Sequence, residues 1–337
     1  MKVLLTGASG YIGSALLNQL LSRRIQVTAV TRNSDVIPAH PLIKIVEADL
    51  THEDAVDTNL WGCDHVIHAA GLARAWVRDK HRYFEENCNL TSTLLKASLR
   101  SGVRKFVFIS SAGVLKASDG AGSEETAVLT AITNNAYTDS KLLSELIALQ
   151  FQSAGLPVII VRPARVYGPG KLSASNQVTQ TIINYINGRP LVIPGKGTHT
   201  GSYCLVQDVA RGVIDALMIP GLTGIYNFGG TNASYNELFE TIGNEWGRIR
   251  RLTHIQKPVL ITAGLLNQFG GWVTNGSPLL TLNQVKKLTS NHSVNSSKAV
   301  QHIGYSFTPL STGIKETIMW AQQNGFVTNG APYSFVS

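Results

Sequence analysis

The chain of 337 residues lacks the residue patterns that mark secreted, metal-binding and nucleic-acid-binding proteins. Its three cysteines, Cys63, Cys88 and Cys204, are odd in number and widely spaced. This argues against a disulfide framework and against a zinc site, so we expect no metal and a reducing, cytoplasmic compartment. The formal net charge is +8, but only 15% of the residues are charged and no run of five or more lysines and arginines occurs. Nucleic acid is therefore not an expected partner.

Long apolar runs are also missing. None reaches the roughly 18 residues that a membrane-spanning helix requires, so we expect no integral membrane segment. The N-terminus does not resemble a signal peptide, because Met1 to Thr6 leads directly into a glycine motif. The best candidate for a membrane segment, Pro258–Val273, is interrupted by Asn267, Gln268 and two glycines. It predicts an amphipathic helix over a substrate cleft, with a membrane-surface role as the alternative.

The first two thirds of the chain alternate short apolar runs with longer helical patterns. Such alternation predicts a parallel sheet with right-handed crossovers, the doubly wound α/β or Rossmann fold. We expect a dinucleotide-binding domain from residues 1–168 and 203–230, and a smaller C-terminal substrate lobe from residues 169–202 and 231–337. The predicted strands are Lys2–Thr6, Gln26–Thr31, Ile43–Glu47, His65–His68, Lys105–Ser110, Val158–Val161 and Ile225–Phe228. The predicted helices are Ile12–Ser22, Tyr83–Ser101, Tyr137–Ala154, Leu172–Gly188, Asn236–Gly247, Pro258–Gly271 and Ser311–Asn324.

Between the first predicted strand and the first predicted helix lies a glycine motif, Thr6-Gly7-Ala8-Ser9-Gly10-Tyr11-Ile12-Gly13. Its glycines allow the backbone to turn tightly and to approach a pyrophosphate, which then lies at the helix N-terminus. A glycine triplet alone is a weak signal, but this position between a strand and a helix makes it a strong one. The motif predicts a dinucleotide cofactor.

The end of the second predicted strand indicates which nicotinamide cofactor is expected. An Asp or Glu there would hydrogen-bond the 2′-hydroxyl of NAD. The chain has Thr31-Arg32-Asn33 instead, with no acid before Asp35, and Arg32 is placed to pair with a 2′-phosphate. The sequence therefore favours NADP over NAD.

Tyr137 and Lys141 are four residues apart at the start of a predicted helix, which places the phenol and the ammonium on one helical face. A neighbouring ammonium lowers the pKa of a tyrosine from its ordinary value near 10, so that the phenol can protonate a ketone oxygen or run the reverse. Ser111 ends a strand at the edge where ligands bind in such sheets and is a candidate partner for the substrate oxygen. His68 is expected to be a core histidine and not a proton donor.

Together and in this order, these features resemble the extended short-chain dehydrogenase/reductase family. That family includes nucleotide-sugar epimerases, dehydratases and reductases, dihydroflavonol-type reductases and 3β-hydroxysteroid dehydrogenases. The resemblance covers essentially the whole chain. Further matching segments are Asp49-Leu50, Val66-Ile67-His68-Ala69-Ala70, the stretch beginning at Asn87, Arg162-Pro163-Ala164-Arg165-Val166-Tyr167-Gly168-Pro169-Gly170 and Val206-Gln207-Asp208-Val209-Ala210.

The resemblance implies the sheet order 3-2-1-4-5-6-7 and a catalytic triad of Ser111, Tyr137 and Lys141. Tyr137 would be the acid–base, Lys141 would hold the ribose and tune the tyrosine, and Ser111 would polarise the carbonyl. Many members form homodimers through the helices that correspond to Tyr83–Ser101 and Tyr137–Ala154. The residues expected to bind the cofactor are Gly7, Ser9, Gly10, Tyr11, Ile12, Gly13, Arg32, Asp49, Leu50, Ala69, Ala70, Gly71, Asn87, Tyr137, Lys141, Pro163 and Val166.

One departure from the family pattern bears on the substrate. Nucleotide-sugar members have an arginine for the substrate diphosphate at the position of Gly201, and its absence weakens binding of a diphosphate. Lys196, Lys171 or Arg165 are candidates to compensate. The sequence thus favours an NADP-dependent reductase or dehydrogenase of a ketone or secondary alcohol on a small, mostly apolar molecule. A nucleotide-sugar epimerase, dehydratase or 4-ketoreductase with bound NAD is the alternative, and a non-catalytic cofactor sensor is a third hypothesis.

Overall fold

The computed structural model describes residues 1–50, 60, 62–74, 76–118, 122–128, 133, 135–173, 176–274 and 280–327, with the backbone alone for 269–274. Seven strands form its central sheet: β1 (Lys2–Thr6), β2 (Gln26–Thr31), β3 (Ile43–Glu47), β4 (His65–His68), β5 (Lys105–Ile109), β6 (Val158–Pro163) and β10 (Gly224–Phe228). All pairings are parallel, in the order β3-β2-β1-β4-β5-β6-β10. Counted within this sheet the order is 3-2-1-4-5-6-7, so the predicted fold class and strand order are confirmed.

Helices cover both faces of this sheet, which is why its middle strands are apolar without alternation. Every residue of β5 and β6 is buried. The helices α1 (Tyr11–Ser22) and α5 (Val206–Met218) enclose one core, in which Leu16 and Val213 are fully buried. The helices α2 (Leu90–Arg100) and α3 (Ala136–Ser153) enclose a second core on the other face.

The remaining elements form a smaller group at the carboxyl edge of the sheet. The strands β7 (Arg165–Tyr167), β9 (Thr200–Leu205) and β11 (Thr231–Ser234) form a three-stranded sheet in the order β11-β9-β7, and β8 (Val192–Pro194) pairs with β12 (Thr253–Ile255). The helices of this group are α4 (Gln177–Ile186), α6 (Tyr235–Trp246), α7 (Lys257–Thr274), α8 (Leu282–Leu288) and α10 (Leu310–Gln323). The helix α9 (Ser297–Ile303) instead packs against β10 and α5 in the first core of the central sheet. A third core lies between α4, α6 and α10.

Four of the seven predicted helices agree with α1, α3, α6 and α10 to one residue at each end. Side-chain caps set two of these N-terminal boundaries, because Asn135 caps α3 and Ser234 forms a capping box with Glu237 at α6. The predicted helix Leu172–Gly188 begins later, at Gln177, and the side chain of the preceding Asn176 accepts the Ser173 N–H at 2.9 Å. Across the described ranges, no helix is long and apolar enough to cross a membrane.

Candidate active site

The glycine motif forms a tight loop against the carboxyl ends of β1 and β4. Gly7 has φ = +72°, and a Cβ there would lie 2.6 Å from the backbone of Ala69 and Ala70. A Cβ on Gly13 would overlap the Gly7 carbonyl oxygen. Only glycine fits at these two positions, because the loop backbone packs directly on the backbone of its neighbours.

This loop ends at the N-terminus of α1, which is open to an anion. Gly10 is the N-cap residue, no side chain caps the helix, and the first turn contains no acid. The free N–H groups and the helix dipole at such an end favour a phosphate. Ser9 and Ile12 lie here, partly buried. The Tyr11 side chain points elsewhere, because its hydroxyl donates to the Gly168 carbonyl oxygen at 2.9 Å, so only its backbone is available to a ligand at the loop.

Arg32 lies just beyond β2, where ribose recognition is predicted. Its side chain is 69% exposed, and its Nη1 lies 3.7 Å from one carboxylate oxygen of Glu86. Arg82 donates to the other oxygen of Glu86 at 2.5 Å. An exposed contact of this length contributes little energy, so Arg32 is free to exchange it for a phosphate. Asp49 and Leu50 follow the neighbouring β3, with Asp49 exposed and Leu50 buried.

The structure brings Ser111, Tyr137 and Lys141 together at the carboxyl end of β5. Asn135 caps α3 by accepting the Thr138 N–H, which places Tyr137 in the first turn. The Ser111 hydroxyl accepts the Gly113 N–H at 3.0 Å and is near enough to the Tyr137 phenol to lower its pKa. One turn later, the Lys141 ammonium donates to the Ile109 carbonyl oxygen at 2.9 Å. The predicted triad is thus assembled around one strand end.

The expected lowering of the Tyr137 pKa is wrong for this structure. Burial raises the pKa of Tyr137, and the nearby Ser111 hydroxyl opposes that rise only in part. The ammonium of Lys141 is held by the Ile109 carbonyl and lies 4.8 Å from the centre of the Phe108 ring. Sequence spacing predicted the neighbouring ammonium, but it does not show the burial of the phenol, which is the larger influence on the Tyr137 pKa.

A buried ion pair lies beneath Lys141. Glu145, one further turn along α3, accepts hydrogen bonds from Arg162 Nε at 2.9 Å, Arg162 Nη2 at 2.6 Å and the Ser110 hydroxyl at 2.5 Å. Burial lowers the pKa of Lys141 to about 8, and the Glu145 carboxylate acts in the opposite direction. Sequence reasoning missed Glu145, although its spacing of four residues from Lys141 was a usable signal.

Asn87 and the loop that follows β4 lie beside Lys141. Asn87 Oδ1 accepts the Leu72 N–H at 2.8 Å, and its Nδ2 donates to the Ser140 hydroxyl at 2.8 Å. A Cβ on Gly71 would lie 3.5 Å from the Lys141 ammonium, so Asn87 fixes the backbone of this loop close to that charge. Ala69 and Ala70, whose backbone lies against Gly7, are partly buried between this loop and the glycine motif.

His68 lies in the core, as expected. Its ring nitrogens are within 2.7 Å of the Thr6 hydroxyl and 3.0 Å of the Thr91 hydroxyl. Burial, together with the charge of Lys141, lowers the pKa of His68 to about 3, so the ring is neutral near pH 7. A neutral ring held on both sides does not supply the proton for the reaction.

The two remaining predicted cofactor residues lie at the next strand end. Pro163 ends β6 and is buried, whereas Val166 lies in β7 and is partly buried. Both are on the carboxyl edge that also holds Ser111. Their position agrees with a cofactor that extends along this edge.

A group of cations faces the same edge from the smaller lobe. A Cβ on Gly201 would lie 2.6 Å from the guanidinium carbon of Arg165, so Arg165 occupies the space of the missing arginine side chain. Arg165 Nη1 donates to the Tyr235 hydroxyl at 2.9 Å, whereas its Nη2 is buried with no hydrogen-bond partner. The segment containing His292 pairs with Gly201, because the His292 N–H donates to the Thr200 carbonyl oxygen at 2.9 Å.

Lys287 is the third member of this cation group. Its side chain is open to solvent, yet the surrounding protein and Arg165 lower the pKa of its ammonium to about 8, as expected on the wall of a cleft. Burial and these two cations lower the pKa of His292 to about 4. In the described part of the chain, none of the three forms an ion pair with a carboxylate. Sequence reasoning missed Lys287 and His292, since no local pattern connects them to Arg165.

Comparison with known proteins agrees with this geometry. A sequence model of the NAD dependent epimerase/dehydratase family matches residues 3–229. The chain belongs to this family. The predicted resemblance to the extended short-chain dehydrogenase/reductase family is thereby confirmed. The chain spans about 59% of the length of the first curated relatives that it matches.

Individual members differ in how much of the chain they match. The 3β-hydroxysteroid dehydrogenase/Δ5→4-isomerase of Mycobacterium tuberculosis is 28% identical over 221 residues, which are 63% of this chain and 59% of that enzyme. Sterol demethylase protein B of Methylococcus capsulatus is 25% identical over 97% of this chain and 100% of its own length. The crystal structure of a UDP-glucose 4-epimerase from Thermotoga maritima has the same fold, with a TM-score of 0.79 and 22% identity over 96% of this chain and 99% of the other.

The residues present fit the nicotinamide dinucleotide that the family implies. The space kept free at Gly7 and Gly13 and the uncapped end of α1 suit a pyrophosphate. Lys141 uses one donor on Ile109, which leaves further N–H groups for ribose hydroxyls. When bound, the nicotinamide would supply or accept a hydride beside Tyr137. Among the described residues, no group of histidine, cysteine and acidic side chains has a metal-binding arrangement.

Proposed function

We propose that the chain is an NADP-dependent reductase or dehydrogenase that moves hydride between the cofactor and a ketone or secondary alcohol of a small, mostly apolar substrate. The convergence of Ser111, Tyr137 and Lys141 at the carboxyl end of β5 is the observation that supports this reaction. The two relatives named for a hydroxysteroid and a sterol support an apolar substrate.

Each of the three residues has a separate task in the proposed reaction. The Tyr137 phenol gives its proton to the ketone oxygen during reduction and takes it back during oxidation. The Ser111 hydroxyl orients the phenol and the substrate oxygen. The Lys141 ammonium, held by Ile109, binds the ribose and adds positive charge next to the developing negative oxygen.

Replacing the phenol tests this mechanism. We expect Tyr137→Phe to reduce kcat by about 10²–10⁴-fold, because the acid–base hydroxyl is lost, while the cofactor dissociation constant stays within about two-fold. The measurements are NADPH oxidation with apolar ketones and titration of cofactor fluorescence. Tyr226→Phe removes a phenol from β10 and is the matched control with unchanged kcat. A near-normal kcat in Tyr137→Phe would contradict the mechanism.

Arg32 supports the preference for NADP. We expect Arg32→Ala to weaken NADP binding by about ten-fold or more and to leave NAD binding nearly unchanged, because only NADP has a 2′-phosphate. Arg82→Ala also releases Glu86 but removes no charge from the end of β2, so it is the matched control. Equal losses for the two cofactors in Arg32→Ala, or equal effects of the two variants, would reject this role for Arg32.

Arg165 favours a second candidate, a nucleotide-sugar epimerase, dehydratase or 4-ketoreductase. Its buried, unpartnered Nη2 and the nearby Lys287 and His292 suit an anionic group on a substrate. The same assays separate the two candidates. Turnover of UDP-glucose without net consumption of added NADPH, together with NAD retained through purification and loss of turnover in Arg165→Gln, would select this second function.

A further inference from the structure

The excess positive charge of the protein is concentrated in one segment. Residues 246–315 contain eight lysines and arginines and no aspartate or glutamate, whereas the rest of the chain contains 21 residues of each sign. This segment therefore holds the entire net charge of +8. It includes β12, α7 and α8, so most of the charge lies on the smaller lobe, whereas Lys298 of α9 lies against β10.

The helix α7 in this segment has an apolar face that the described residues leave exposed. Val259, Leu265 and Leu266 are 57%, 52% and 66% exposed. On the opposite face Leu260 and Gly264 are buried, and this face packs against α8. The helix contains no acidic residue and only Lys257 as a basic one. Large exposed aliphatic side chains that share one face of a helix mark an interaction surface.

Positive and apolar groups alternate at the start of this helix. Ile249 is 70% exposed between Arg248 and Arg250, and Arg251 and Lys257 are exposed before the first turn of α7. Lys286 is exposed on the adjoining α8. Among the residues that the structure describes, neither Arg251 nor Lys257 has a carboxylate at ion-pair distance. These charges are therefore available to an external anionic partner.

We propose that the α7 surface, defined as Ile249, Arg251, Lys257, Val259, Leu265 and Leu266, docks onto a membrane that contains anionic phospholipids. Aliphatic side chains enter the boundary between headgroups and acyl chains, while lysine and arginine pair with the headgroups. A second copy of the chain is a poor partner for this surface, because it would present the same positive charge. The inference concerns where the enzyme works and does not depend on the proposed substrate or cofactor.

Flotation of the purified full-length chain with lipid vesicles tests the proposal. We expect little binding to pure phosphatidylcholine and at least a ten-fold higher affinity when about a third of the lipid is phosphatidylglycerol. Raising the salt to about 0.5 M should remove most of that difference, because the screening length becomes only a few ångströms.

Variants separate the apolar and charged contributions. Leu265→Ser with Leu266→Ser, and Arg251→Gln with Lys257→Gln, should each reduce the affinity for the anionic vesicles by about ten-fold or more. Two double variants at exposed positions elsewhere are the matched controls: Met218→Ser with Met319→Ser, and Lys44→Gln with Lys96→Gln. Both should bind the vesicles as the original chain does. Cofactor dissociation constants measured on the same preparations should not change in any of them.

Three results would overturn the proposal. The first is equal binding to neutral and anionic vesicles, or binding to neither. The second is that the double variant Leu265→Ser with Leu266→Ser binds the anionic vesicles as well as the original chain does and binds heparin equally well. Charge alone would then explain the binding. The third is an oligomer in lipid-free solution that this variant dissociates, since the surface would then be a contact between copies.

Discussion

Two features of its surroundings shift the pKa of Lys141 in opposite directions. Burial lowers the pKa of its ammonium to about 8, and the Glu145 carboxylate one turn away raises it. As the pH rises through about 8, the ammonium loses its proton and with it the charge that is proposed to hold the ribose. The activity is therefore expected to fall on the alkaline side near this pH. We propose Glu145 as a positioning residue that keeps Lys141 charged at neutral pH.

Replacing Glu145 tests that role. Glu145→Gln removes a negative charge near Lys141, so the alkaline limb of kcat/KM should move to lower pH by about one unit. Glu145→Asp keeps the charge and should keep the limb close to its original position. The measurement is the pH profile of kcat/KM between about pH 6 and pH 10, the range in which this lysine titrates. If Glu145→Gln only reduces the plateau and the limb does not move, Glu145 has a structural role alone.

At the scale of elements, local patterns predicted most of what the structure shows. The run of apolar residues in β5 and the glycines before α1 are visible within short stretches of sequence, which is why their positions were predictable. The predicted helix Tyr83–Ser101 was only partly correct. It is a turn at His81–Tyr83, a π-helical segment at Phe84–Asn89 and then α2.

The π-helical segment matters because it contains Asn87. A π turn inserts one residue into the helical repeat and so rotates the following side chains. Here Asn87 faces Leu72 and Ser140, and Cys88 Sγ lies 3.1 Å from the Ser140 carbonyl oxygen. Apolar periodicity does not reveal such an insertion, because it arises from packing between α2 and α3 and not from the local sequence.

At the scale of the whole molecule, a homodimer stays a prediction with a structural basis. Leu143 and Leu146 are 41% and 52% exposed on one face of α3, and Leu99 of the adjacent α2 is 37% exposed. Two helices that each present leucines to solvent suit a bundle with the same pair of another copy. The domain boundaries around residues 168, 203 and 230 likewise remain a prediction.

Charged substitutions test the homodimer. We expect Leu143→Glu with Leu146→Glu to convert a species of twice the chain mass into a monomer, because like charges would meet at the two-fold axis. Light scattering coupled to gel filtration provides the mass. Met319→Glu places a charge on α10 instead and should leave the mass unchanged. A chain that is monomeric without any substitution, or a double variant that stays dimeric, would reject this interface.

The sequence by itself determined the seven strands of the central sheet, the glycine motif before α1 and the spacing of Tyr137 and Lys141, but it did not reveal α5, α8, α9 or the strands of the two small sheets. The features that it determined are set by spacing within short stretches, where a 2-residue or 3.6-residue period and the conformational freedom of glycine act directly. Tertiary structure alone decided the direction of the Tyr137 pKa, the pairing of Arg162 with Glu145, and the placement of Arg165 over Gly201 beside Lys287 and His292. The physical reason is that burial and charge act through space, and the groups concerned come from strands, helices and loops far apart in the chain.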